Sequence, residues 1–115
     1  MVLGIKSRGQ PRARVRWPVL IQTTSGSIRG ETQNISASGA FIFCQDPSSL
    51  EDNFQMTINV PHSQALSLMA KVVWKTVVTL NDKASGSGIG VQFSQISVND
   101  RKLLQTLIKK HSQIT

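Results

Sequence analysis

The sequence predicts a mainly β fold, a small antiparallel β-barrel of six strands with one C-terminal α-helix, and three observations carry that expectation. Short stretches with apolar residues at every second position recur between Val15 and Phe93, bounded by clusters of Gly, Ser, Asn, Asp or Pro. Half-buried strands joined by turns have that pattern. After Ser97 the apolar spacing changes to that of a helix. The chain has 115 residues, 39% of them hydrophobic, which suits one compact domain spanning residues 1–115 with a single core.

Val15, Trp17, Val19 and Ile21 alternate with Arg16, Pro18 and Gln22. A strand is expected there, at an edge or bulged, because Pro18 has no N–H to give a ladder. Thr23-Thr24-Ser25-Gly26-Ser27 reads as a turn, and an extended segment from Ile28 runs into the turn-rich stretch Asn34 to Gly39. Gly39 opens a strand over Ala40 to Cys44, and a loop from Gln45 to Asn53 precedes alternation at Phe54, Met56, Ile58 and Val60 that stops at Pro61.

From Ala65, the face Leu66, Leu68, Ala70, Val72 and Trp74 predicts a long strand, with Val77 to Leu80 extending or following it. A turn over Asn81 to Gly88 comes next. Ile89, Val91 and Phe93 then alternate with Gly88, Gly90 and Gln92, so one face of the last strand is stripped of side chains, as happens where another backbone or a ligand comes close. Ser97 and Asp100 fit a helix N-terminus, and Leu103, Leu104, Leu107 and Ile108 recur at helical spacing. Lys109, Lys110 and His111 suit the negative end of the helix dipole. The helix is expected to pack on the sheet or plug one end of it.

Thirteen Lys and Arg against six Asp and Glu leave a net charge of +7. Lys6, Arg8, Arg12, Arg14, Arg16 and Arg29 all precede the first acid, Glu31, which points to an anionic partner, and polarity with Gly and Pro makes residues 1–11 a basic, flexible N-terminal arm. Cys44 is the only cysteine, so an internal disulfide and any Cys-based zinc site are excluded, and its apolar neighbours mark it as a buried small hydrophobe. His62 and His111 lie apart in the sequence, and nothing places two carboxylates together. No metal centre or Ser-His-Asp relay can be assembled, the sequence by itself neither places nor excludes an acid–base pair, and a non-enzyme without cofactor is expected. Gly86-Ser87-Gly88-Ile89-Gly90 lacks the Lys-Ser/Thr ending of a P-loop and reads as a hairpin. Apolar runs are broken well short of the roughly 20 residues that span a bilayer, and the first ten residues have no secretory h-region. A cytoplasmic protein without membrane insertion is expected.

Two short constellations are informative. Arg8-Gly9-Gln10-Pro11-Arg12 sets two arginines four apart on a segment whose Gly and Pro make it a loop. Arg12 to Arg16 has the same spacing, but Arg16 sits between Val15 and Trp17 on an expected strand. Asn34-Ile35-Ser36-Ala37-Ser38-Gly39 turns the chain and brings short polar groups and backbone N–H groups to the surface. Taken with Val72-Val73-Trp74, the strand Gly88 to Phe93 and the terminal helix, this order of parts resembles the PilZ domain family, which binds the bacterial second messenger cyclic di-GMP. The family pattern RxxxR is matched by Arg8 and Arg12, and D/N-x-S-x-x-G by Asn34, Ser36 and Gly39.

The resemblance implies a barrel of the split type. It also implies a cyclic di-GMP site made by Arg8, Arg12, Asn34, Ser36 and Gly39, with further contacts from Ser7, Gly9, Ser38 and Trp74. Arginine can bind phosphate oxygens, pair with guanine O6 and N7, or stack on a purine, and Asn34 and Ser36 would hydrogen-bond a guanine above Gly39. Ser7 stands where members often carry another Arg. Trp74 has a second reading, as a core aromatic on the Leu66 to Trp74 face. The implied function is that of a receptor, monomeric or weakly dimeric, whose arm orders on the nucleotide and signals to a downstream protein partner controlling motility, biofilm or exopolysaccharide. The alternative is a nucleotide-independent adaptor on the same barrel. Nucleic acid is not expected as a partner, since two Trp, four Phe and no Tyr offer few exposed stacking platforms.

Overall fold

The computed structural model describes residues 12–24, 26–44, 53–79 and 85–111. Residues 1–11, 25, 45–52, 80–84 and 112–115 fall outside them, and with them Ser7, Arg8 and Gly9. Six strands, β1 (Pro18–Thr23), β2 (Gly26–Ile35), β3 (Gly39–Cys44), β4 (Asn53–Ile58), β5 (Leu66–Thr79) and β6 (Ser85–Gln95), precede one helix, α1 (Val98–His111). The strands close in the order β1-β2-β3-β6-β5-β4, every pairing antiparallel, with β4 returning to β1. Closure leaves no free sheet edge to aggregate.

Period-two alternation builds the interior. Val19, Ile21, Ile42, Met56, Ile58, Leu66, Ala70 and Ile89 are all buried and meet inside the barrel. Leu104 and Ile108 bring the apolar stripe of α1 into the same cluster. The Ser97 hydroxyl caps the helix by accepting the Asp100 amide at 3.1 Å, and Asp100 in the first turn and Lys109, Lys110 and His111 in the last complement the dipole. The ring of His111 meets the buried Trp17 ring edge-on, with centroids 5.8 Å apart. Cys44 is 1% exposed, in line with its reading as a core residue. None of the described helices is long and apolar enough to cross a membrane.

Several boundaries differ from expectation. The first strand begins at Pro18 instead of Val15, because the segment before it is out of register with β2. Strand β2 starts already at Gly26, whose φ of 145° lets the hairpin close tightly against Thr23. Strand β5 continues unbroken to Thr79, and β6 takes up Ser85 to Gly88 from the expected turn to pair with it.

Candidate functional site

Two of the three register shifts among the described strands shape the outer wall where Asn34 and Trp74 lie. In β2 the pairing with β3 shifts between Thr32 and Asn34, so that Thr32 faces Ile42 and Asn34 faces Phe41. Side chains two apart on a regular strand share a face. The bulge separates them: Thr32 is fully buried, whereas Asn34 is half-buried on the outer wall. In β5 a second shift between Val72 and Trp74 does the same. Leu66, Leu68 and Ala70 point inward as expected, but Trp74 is turned out and is 43% exposed. Its reading as a core aromatic is therefore corrected, because one extra residue flips every side chain beyond it.

Asn34, Phe41, Gly90 and Trp74 lie in one transverse row across β2, β3, β6 and β5. The rings of Phe41 and Trp74 stack at 5.1 Å and 28°, over Gly90, where an added Cβ would come within 2.2 Å of Trp74 Nε1. Gly88 and Gly86 lie in the same way under the rings of Phe41 and Phe43, with contacts of 2.4 and 2.5 Å to an added Cβ. Aromatic rings from the neighbouring strands cover the stripped face of β6.

Arg12 reaches this row from the segment before β1. Ala13, Val15 and Trp17 are buried, so Arg12, Arg14 and Arg16 alternate outward as exposed cations. Arg12 Nη1 donates to Asn34 Oδ1 at 2.5 Å. One side chain from each motif thus meets the other across the joint between the N-terminal segment and β2. Arg16 shares no such contact among the described hydrogen bonds.

The rest of the second motif builds the β2–β3 turn. The Ser36 amide donates to the Gly39 carbonyl at 2.8 Å, the Ser36 hydroxyl donates to the same carbonyl at 3.3 Å, and the Ser38 amide donates to that hydroxyl at 3.3 Å. Ser36 is 1% exposed, so its hydroxyl holds the turn from within, while Ser38 is exposed at its tip. Gly39 is required by its neighbour strand: a Cβ there would lie 2.3 Å from the Val91 carbonyl oxygen. Sequence reasoning missed Phe41 and Thr32. Glycines at 86, 88 and 90 were the available signal for Phe41, since three bare positions on one face leave a furrow that rings from the next strands can fill.

A second feature is an open groove of about 600 Å³ lined by Gln55, Ser67, Met69, Ser94, Gln95, Ile96 and Arg101. It shares no residue with the Arg12–Asn34 row. Among the described residues no group of three or more His, Cys, Asp or Glu is placed to hold a metal ion.

The closed six-stranded antiparallel barrel with its terminal helix defines a small β-barrel domain. The family model for the PilZ domain matches residues 6–110, and the chain belongs to that family. Among solved structures it is similar to the PilZ domain, with c-di-GMP, of YcgR from Escherichia coli, at TM-score 0.75 and 14% identity, covering 89% of this chain and 88% of that one. It is also similar to the inhibitor of motility MotI/DgrA from Bacillus subtilis, at TM-score 0.72 and 22% identity, covering 88% of this chain and 48% of that one. A third is the K. pneumonia MrkH–c-di-GMP complex, at TM-score 0.74 and 18% identity, covering 86% and 49%. The chain thus spans nearly all of the first and about half the length of the other two. At these identities the likeness concerns the fold. No curated protein matches the chain.

Proposed function

We propose that the chain is a receptor for cyclic di-GMP that passes ligand occupancy to a protein partner, without catalysing a reaction. The observation that carries this reading is the Arg12–Asn34 hydrogen bond on the outer wall, which joins the two motifs at one place. Membership of the PilZ family supports it, as do relatives whose structures contain c-di-GMP. In this reading residues 1–115 act as one cytoplasmic domain. The basic arm, residues 1–11, folds over the nucleotide and places Arg8 beside Arg12, with Ser7 and Gly9 completing the loop.

The chemistry fits the ligand. Cyclic di-GMP carries two phosphates and two guanines, and Arg12 with the outward Arg14 and Arg16 supplies donors and positive charge for them. Asn34 offers a carboxamide to a guanine edge, and Ser38 a hydroxyl at the turn tip. Ser36 and Gly39 hold that turn in shape. Trp74, stacked on Phe41 in the Asn34 row, presents a face on which a purine can lie. Differential ordering of the arm between empty and occupied states is then what a partner reads.

Calorimetric titration with cyclic di-GMP tests the proposal, with linear GMP, Arg12→Ala and Asn34→Ala as comparisons. Micromolar or tighter binding is expected for the parent chain. Loss of a charge-assisted hydrogen bond of about 1.5–3 kcal/mol should weaken Arg12→Ala by roughly 10- to 150-fold. Absence of binding, or equal binding of Arg12→Ala, overturns the proposal and leaves the nucleotide-independent adaptor.

A further inference from the structure

Thr32 is fully buried and polar, and no motif includes it. Its place follows from a mismatch in register. Ala13 faces Ile35 and Pro18 faces Glu31, so five steps along the N-terminal segment span only four along β2. A regular ladder cannot serve both ends, and the backbone of β2 leaves groups of the segment out of reach. The Thr32 hydroxyl takes their place. It accepts the Trp17 amide at 2.9 Å and donates to the Val15 carbonyl, while the Thr32 amide donates to the Trp17 carbonyl at 2.9 Å.

We infer that Thr32 is the positioning residue of the nucleotide site: its hydroxyl seats the slipped segment 13–17 on β2 and thereby holds Arg12 at Asn34. The inference rests on the reading of Arg12 and Asn34 as ligand-binding groups, and it adds the part that sets their geometry. The hydrogen bonds of the Thr32 hydroxyl go to the backbone of Val15 and Trp17, not to the Arg12 guanidinium. It acts through the backbone, because the Ala13 and Ile35 amides and carbonyls exchange bonds at 2.9 Å one residue from both Arg12 and Asn34. The same bulge that turns Asn34 outward leaves Thr32 pointing inward at the slipped segment, so one irregularity in β2 serves both jobs.

The test compares Thr32→Val, which keeps the shape, with Thr32→Ser, which keeps the hydroxyl and loses the methyl. Thr32→Ala makes the same comparison without setting a methyl against the Val15 carbonyl. Two readouts are taken: affinity for cyclic di-GMP, and amide hydrogen exchange in the protein without nucleotide. Thr32→Val and Thr32→Ala should weaken binding by about tenfold or more and speed exchange at Ala13, Trp17 and Ile35 while Ile42 and Ile89 keep their protection. Thr32→Ser should restore both, even where it lowers the melting temperature. Unchanged affinity in Thr32→Ala, or exchange that rises equally across all strands, overturns the inference, since Thr32 would then support the barrel in general. If the parent chain binds no cyclic di-GMP, the receptor reading fails, and the exchange pattern at Ala13 and Ile35 still decides whether Thr32 seats the segment.

Discussion

Gly39→Ala separates two reasons for the last glycine of the second motif. If glycine is needed so that a base can approach, the substitution should spare the fold and damage only binding. The structure argues otherwise. Gly39 pairs with Gln92 at the start of β3, the Phe93 amide donates to the Ser38 carbonyl at 2.8 Å, and the added Cβ would stand 2.3 Å from the Val91 carbonyl oxygen. An ordinary carbon–oxygen contact is about 3.3 Å or more, so β3 and β6 must part by about 1 Å at a point where both are tied into a closed barrel. Overpacking against backbone of this kind costs about 1–3 kcal/mol. For a domain of this size that is a fall in melting temperature of roughly 5–15 °C. Scanning calorimetry on Gly39→Ala reads it, with two controls. Gly26→Ala adds a Cβ in open space at a φ of 145° and should cost about 1 kcal/mol from conformation alone. Asn34→Ala removes a half-buried carboxamide and should leave the melting temperature nearly unchanged while weakening nucleotide binding. A Gly39→Ala variant that melts with the parent chain would refute the reasoning.

Gly90→Ala meets a softer obstacle, since the atom at 2.2 Å is Nε1 of the half-exposed Trp74 and not backbone. The indole should swing off Phe41 at a cost of about 1 kcal/mol for the lost ring pair, seen as a red shift in emission that Trp74→Phe abolishes; an unshifted spectrum counts against the stack. Cys44, 1% exposed within the core, should react with a thiol reagent only as fast as the domain unfolds globally, so labelling that stays fast under strongly native conditions would contradict its burial.

Most of the fold was legible because alternation is a local signal. Phe54, Met56 and Ile58, or Leu66, Leu68 and Ala70, show their buried face in the sequence, and each pairs in the structure with its inward side intact. Leu104 and Ile108 declare the helix stripe just as plainly. Boundaries were less legible because they depend on the partner strand. Ser85 to Gly88 look like turn residues by composition, yet β5 runs on to Thr79 and offers them a ladder, and long-range pairing overrides local preference.

The site was legible by motif and illegible by periodicity, for one physical reason. A period-two reading carried through β5 puts Trp74 with Ala70, and carried through β2 puts Asn34 with Thr32. Both are wrong at the residue that matters, because a bulge intervenes each time. An extra residue leaves no mark in composition: Gln33 and Val73 are ordinary strand residues, and only the register with β3 and β6 shows that they are unpaired insertions. Bulges are the means by which a closed barrel turns a side chain outward without opening. The positions where alternation fails are therefore the ones where this barrel presents Asn34 and Trp74 to solvent, and Thr32 and Gly39 are fixed by what that presentation demands of the strands beside them.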